Sequence, residues 1–260
     1  QELLLSLLRI NRCQVIHSPI SPDPSRNPPE INRGMDNLAP ILNLAPNSSA
    51  PNSPEEWAAV AKEANRHGLA PYLFQKLRAL QKTDRPDPHS TLEIPAPLLE
   101  ALRRAYMHNA SVTLQRFPYL GLALRALSKA GVPVIVLKGG YLAEAVYGNI
   151  ALRVMCDIDV LVKPSDLPKA DAALRLIDFD SWEKRVEALS DTNEFHYNHK
   201  KANILFELHA ELLDSDYPFH MESEALWSAA VPARVAGVEA LALSPEDLLD
   251  APVEPAHGDG

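Results

Sequence analysis

The stretch 132–162, VPVIVLKGGYLAEAVYGNIALRVMCDIDVLV, limits what this chain can become more than any other. Its first six residues are apolar or β-branched apart from Pro133, which predicts a short buried strand, and Lys138-Gly139-Gly140 breaks that run with a turn. Leu142, Ala145 and Val146 then recur at helical spacing and Gly148-Asn149 is a stop signal, so a helix is expected over 141–147. From Val154 the pattern alternates again into DIDVLV, a second strand that carries two aspartates.

Asp157 and Asp159 carry the chemistry of that second strand. Side chains at i and i+2 of a strand share a face about 6.5–7 Å apart along the chain, so both carboxylates are expected to look the same way while Ile158 and Val160 pack behind them. Two like charges at that range repel, and a site that keeps both ionised calls for a cation. Oxygen-only ligands suit Mg²⁺ or Mn²⁺ better than zinc, and such an ion can hold a nucleoside triphosphate by its phosphates. Spacing alone is not specific: Asp178-Phe179-Asp180 and Asp214-Ser215-Asp216 repeat it, and a turn or solvated edge accounts for either. Only the pair at 157 and 159 sits inside an apolar alternation, downstream of a strand, a Gly-Gly turn and a helix.

The run LKGGYL, its spacing to Arg153, and RVMCDIDVLVKPSDLPKA resemble the core signature of the bacterial uncharacterised nucleotidyltransferase family, within the DNA polymerase β-like nucleotidyltransferase superfamily. The resemblance extends over 57–249 and is most specific within 137–162 and around Glu207. It implies metal-dependent transfer of a nucleotide from an NTP. It further implies that Gly139 and Gly140 bring backbone N–H groups to a triphosphate, and that Lys138 adds a phosphate contact where a solvated strand end is the plain alternative. For Arg153 it implies a phosphate or carboxylate contact. FELH, with Glu207 and His209, resembles the family's acid-hydrophobic-His motif, which makes Glu207 the third acid, as a metal ligand or as general base for an acceptor hydroxyl. His209 then orients the acceptor or a phosphate, or is a hydrogen-bonded structural residue. One departure is plain: the superfamily pattern places Ser after the first glycine and a shorter gap before the acids, whereas Gly140-Tyr141 and a longer helix stand here.

The remaining sequence frames this stretch. QELLLSLLRINR reads as an amphipathic helix over 1–12, followed over 13–54 by a proline-rich linker or extended wrap. A helical layer is expected over 55–130: a helix capped by Ser53 and Pro54 that stops near His67-Gly68, a second over 71–80, and a long one over 98–129 bent near Pro118. Tyr72, Phe74 and Tyr106 are assigned to its core. The nucleotidyltransferase-like region spans 131–249, with a helix over 165–177, a hairpin turning at Lys201-Ala202-Asn203, a small strand pair after Trp227 and a capped helix start at Ser244. Residues 250–260 form a polar tail. The fold class expected is α+β, a small mixed sheet flanked by helices with a helical layer in front.

A net charge of −9 argues against broad nucleic-acid binding, and no apolar stretch is long enough for a membrane helix. Cys13 and Cys156 make no recognisable framework, which fits a reducing cytoplasm, and Cys156 is read as a small core residue rather than a nucleophile. His196, His199 and His209 lack the spacing of a zinc site. Gln1 in place of Met points to processing, trimming or a fragment, and the tail points to an incomplete, poorly active chain. The expected cofactor is Mg²⁺ or Mn²⁺. The expected partners are an NTP and an acceptor that is a small molecule, a protein or an RNA end. Two other readings are a degenerate nucleotide-binding or interaction module, and a toxin-like transferase with an antitoxin partner.

Overall fold

The computed structural model describes residues 51, 53–81, 93–181, 193–212 and 223–250. The helix expected over 1–12, most of the proline-rich segment, the 251–260 tail and the acids at 214 and 216 lie outside these residues. The described residues form two compact units, one with 53–81, 93–111 and 151–154, the other with 112–150, 155–181, 193–212 and 223–250.

In the first unit, α1 (Pro54–Arg66) begins where Ser53 Oγ accepts the Glu56 N–H, with Pro54 in the first turn, and it is closed by His67 and by Gly68 at φ 63°. These are the helix signals expected there, and they satisfy backbone groups that a helix end otherwise leaves unpaired. The helix α2 (Ala70–Gln81) follows after a tight link. Trp57, Val60 and Ala64 of α1 and Leu73, Phe74 and Leu77 of α2 are buried together, with Tyr72 and Tyr106 packed at the margin. The long helix α3 (Ala96–Lys129) contains Pro118, which lacks the N–H to continue the ladder at that point.

The second unit is built on a mixed sheet in the order β3-β4-β5-β2-β1-β7-β6. Its strands are β1 (Ile135–Val136), β2 (Ile158–Leu161), β3 (Phe179–Ser181), β4 (Glu194–His199), β5 (Leu205–His209), β6 (Val231–Val235) and β7 (Val238–Ala242). The helices α4 (Lys138–Ala145), α5 (Leu167–Arg175), α6 (Ser223–Ala229) and α7 (Pro245–Asp250) join them, with a 3-10 turn at Pro164–Asp166 leading into α5. This is the α+β class expected from the sequence. Parallel pairing of β2 with β5 and of β1 with β7 sits among antiparallel neighbours. The core is apolar and contiguous: Val136, Val160, Phe206 and Leu208 of the inner strands meet Leu120 and Leu124 of α3 and Leu174 of α5. Burying each such side chain contributes about 1.5–3 kcal/mol.

Three local expectations change. The strand expected over 132–137 pairs only at Ile135 and Val136, because Lys138 already opens α4, so Lys138-Gly139-Gly140 is the first turn of a helix and not a turn before one. The strand expected from Val154 begins at Ile158, and Asp157 lies in the bend that precedes it. Cys156, expected in the core, is exposed at that bend. Among the described residues, no helix is long and apolar enough to cross a membrane.

Candidate active site

Strand register builds the site. In β2 and β5 the parallel pairing sets Asp159 opposite Glu207, and in β4 and β5 the antiparallel pairing sets His196 opposite Glu207 and Glu194 opposite His209. Because β4 alternates, Phe195, Tyr197 and His199 are buried while Glu194, His196 and Asn198 occupy the other face. One face of three adjacent strands therefore gathers Asp159, Glu207, His209, Glu194 and His196.

Distances confirm the gathering. Nε2 of His209 lies 3.3 Å from Oδ1 of Asp159 and 4.0 Å from Oε2 of Glu207, with only 5% of the His209 side chain exposed. Nε2 of His196 lies 3.0 Å from Oε1 of Glu194. The ligand atoms of Asp159, Glu207 and His209 lie within 4.8 Å of one another, as do those of Glu194, His196 and Glu207.

The electrostatics show what such crowding costs. Burial, then repulsion from Asp159, pushes the Asp157 carboxyl up to about 7, although Lys138 and Arg116 pull it the other way. Burial and the charges of Asp159, Asp157 and Glu194 push Glu207 up to about 10. Burial also opposes the charge on Asp159, but the hydrogen bond and charge of His209, with Lys138, hold that carboxyl well below the ordinary range. For Glu194, burial is likewise overcome by His196. The set thus keeps protons that isolated carboxyls would lose, and a divalent cation among these oxygens would replace them.

Asp157, Asp159, Glu207 and His209 come together as a set, and Lys138 is near enough for its charge to act on both aspartates. Lys138 adopts φ 26°, a region uncommon for a residue with a side chain, and the N–H just before it, that of Leu137, donates to the Asp159 carbonyl at 3.1 Å. Gly139 and Gly140 are buried: a Cβ on Gly139 would stand 2.8 Å from Cγ of Met155, and one on Gly140 would stand 3.0 Å from Cγ1 of Val136. Close helix packing is thus one reason for both glycines. Arg153 falls in the first unit, where it is buried and its carbonyl accepts from Asn109 at 2.9 Å.

His199 stands on the opposite face of β4 from His196. His199 lies on the core face, edge-on to the Tyr119 and Phe179 rings, and its Nδ1 accepts the Lys201 and Ala202 N–H groups in the hairpin turn. Sequence reasoning missed Glu194 and His196 as neighbours of the acids, although the alternation of β4 with β5 held the signal. It also missed Arg116, whose place on a long helix gave none.

The sequence model of a family described as uncharacterised nucleotidyltransferase matches residues 53–250. No curated protein matches the chain. Among solved structures, the chain is similar to the antibiotic-resistance factor ANT(2'')-Ia, at 17% identity and a TM-score of 0.39, over 52% of this chain and 69% of that one.

Proposed function

This chain belongs to the uncharacterised nucleotidyltransferase family, and from that premise we propose that it is a metal-dependent enzyme that moves a nucleoside monophosphate from an NTP to an acceptor hydroxyl or phosphate. The observation that carries this reading is the convergence of Asp157, Asp159 and Glu207 in one nearly buried cluster, with Lys138 close enough to act on two of them.

Asp157, Asp159 and Glu207 are the residues that would hold Mg²⁺ or Mn²⁺, and their oxygen donors, too crowded to ionise together, fit such a group. When bound, the cation supplies charge neutralisation for the triphosphate and for the developing pyrophosphate. Lys138 and the N–H groups of the first turn of α4 bind phosphate oxygens, as the positive end of a helix favours. His209 fixes the Asp159 carboxylate in its ionised form. The acceptor oxygen attacks the α-phosphorus in line, the bond from α-phosphorus to its bridging oxygen breaks, and pyrophosphate leaves with that electron pair. The acceptor's proton passes to Glu207, whose own proton a bound cation would displace.

The test is titration of the folded chain with each of the four NTPs, with and without Mg²⁺, for the wild type and for Asp157→Ala/Asp159→Ala. Mg²⁺-dependent binding that disappears in the double variant is expected, and labelled-nucleotide transfer then identifies the acceptor. A folded wild type that binds no NTP would overturn the reading in favour of a module that keeps the fold without turnover.

A further inference from the structure

We infer that Arg116, on α3, is a positioning residue of this site: it anchors the bend at Met155 and thereby sets where Asp157 stands. The inference rests on the nucleotidyltransferase reading for its effect on nucleotide binding, but its structural half stands alone.

Asp157 lies just outside the β2 ladder, whose pairing with β5 starts at Ile158 and Phe206. Its partner Asp159 is fixed by register, whereas Asp157, in the bend, pairs with no strand among the described residues. The bend must be held by other means, and Met155, two residues earlier, is held twice. Nη1 of Arg116 donates to the Met155 carbonyl. The Met155 side chain is buried among Phe117 and Ala143, and its Cγ lies 2.8 Å from where a Cβ on Gly139 would stand. The long helix thus grips the backbone of the bend while α4 grips its side chain.

A guanidinium suits this place because its five N–H groups lie in one rigid plane around a charge that is never lost. One N–H can hold the carbonyl while the charge remains near Asp157. Arg116 therefore places the carboxylate through the segment it anchors. It is half-buried, so the surroundings weaken its charge less than bulk water would.

Arg116→Met removes the donor and the charge. Two readouts are taken on the folded variant: amide hydrogen exchange over residues 155–158, and the Mg²⁺ concentration that half-saturates ATP binding. Exchange faster over that segment than over the rest of the sheet is expected, with a Mg²⁺ requirement raised about tenfold, the lower end of what loss of a group supporting a metal ligand costs. Arg116→Lys, which retains a charge and a donor, is expected to recover part of both. A residue that merely packs α3 would lower global stability and move neither readout selectively. Unchanged exchange and unchanged Mg²⁺ requirement in Arg116→Met would overturn the inference. If Arg116→Met does not fold, Arg116→Gln, which is shorter and uncharged, carries the test. Faster exchange over 155–158 with a raised Mg²⁺ requirement is expected, and no change in either would count against it. A wild type that binds no ATP would strike the proposed function instead, and the exchange data would still decide for or against the anchor.

Discussion

Two Asp-x-Asp sequences in this chain have the same spacing and opposite fates. Asp178 and Asp180 flank buried Phe179 on β3 and reach solvent, where Asp178 meets Lys201 at 2.8 Å and Asp180 meets Lys200 at 3.2 Å. Asp157 and Asp159 flank buried Ile158 and are largely withdrawn from water beside Glu207, so that one of them is pushed toward neutrality while the other is held ionised by His209. Among the described residues β3 pairs only with β4, at the edge of the sheet, whereas β2 lies between β1 and β5. Position in the sheet, and the side chains set opposite by register, turn the same dipeptide spacing into a surface ion pair or into a charge-dense site.

Substitution breaks this comparison most directly. Asp159→Asn is expected to cost at least about a hundredfold in nucleotide transfer, since it removes one of the carboxylates proposed to hold the cation, whereas Asp178→Asn and Asp180→Asn leave the rate unchanged in the same assay. Comparable losses at both pairs would sink the distinction.

The contrast also has a pH signature. The folded chain holds a proton on Asp157 up to about 7, against an ordinary value of 3.8, so the stability associated with that proton is complete below the ordinary value and is lost as pH rises through about 7. Urea midpoints measured in a chelator are therefore expected to fall between about pH 5 and about pH 8, and Mg²⁺ should restore them most at the upper end. Asp157→Asn should flatten this slope. Asp178 shifts the other way, lowered first by its hydrogen bond to Lys201, so its contribution is lost only as pH falls below the ordinary range.

A smaller effect sharpens the packing side. Gly139→Ala places a methyl 2.8 Å from Cγ of Met155, and overpacking of that kind costs about 1–3 kcal/mol in urea unfolding. Tolerance of the alanine would show that Met155 moves freely, which would also weaken the case for a held bend. Least affected is Lys201→Ala: its ion pair with Asp178 is well exposed, and neither the thermal midpoint nor nucleotide binding should change measurably.

Much of the fold was legible because its signals are local. The Ser53 cap with Pro54, the stop at Gly68, the Asn203 turn at φ 52° and the Ser244 Oγ that accepts from Asp247 N–H all follow from nearby residues and appear where expected. Alternation in FELH likewise placed Glu207 and His209 on one face, because side chains in a strand have a period of two. The start of α4 at Lys138 was missed because two glycines read as a turn, while the buried contacts of Gly139 and Gly140 with Met155 and Val136 belong to distant or differently paired residues.

By itself the sequence determined the strand, helix, strand order around the acids, though not where α4 and β2 begin, and the apolar faces that make the core; residue type and short-range period singled out Asp157 and Asp159, and the family resemblance added Glu207. Only the tertiary structure decided that β5 lies beside β2 in the register that meets Asp159 with Glu207, that β4 adds Glu194 and His196, and that Arg116 reaches the Met155 bend. The physical reason is that charge interactions and hydrogen bonds depend on distance and burial. For groups far apart along the chain, both are settled by which strands and helices pack together.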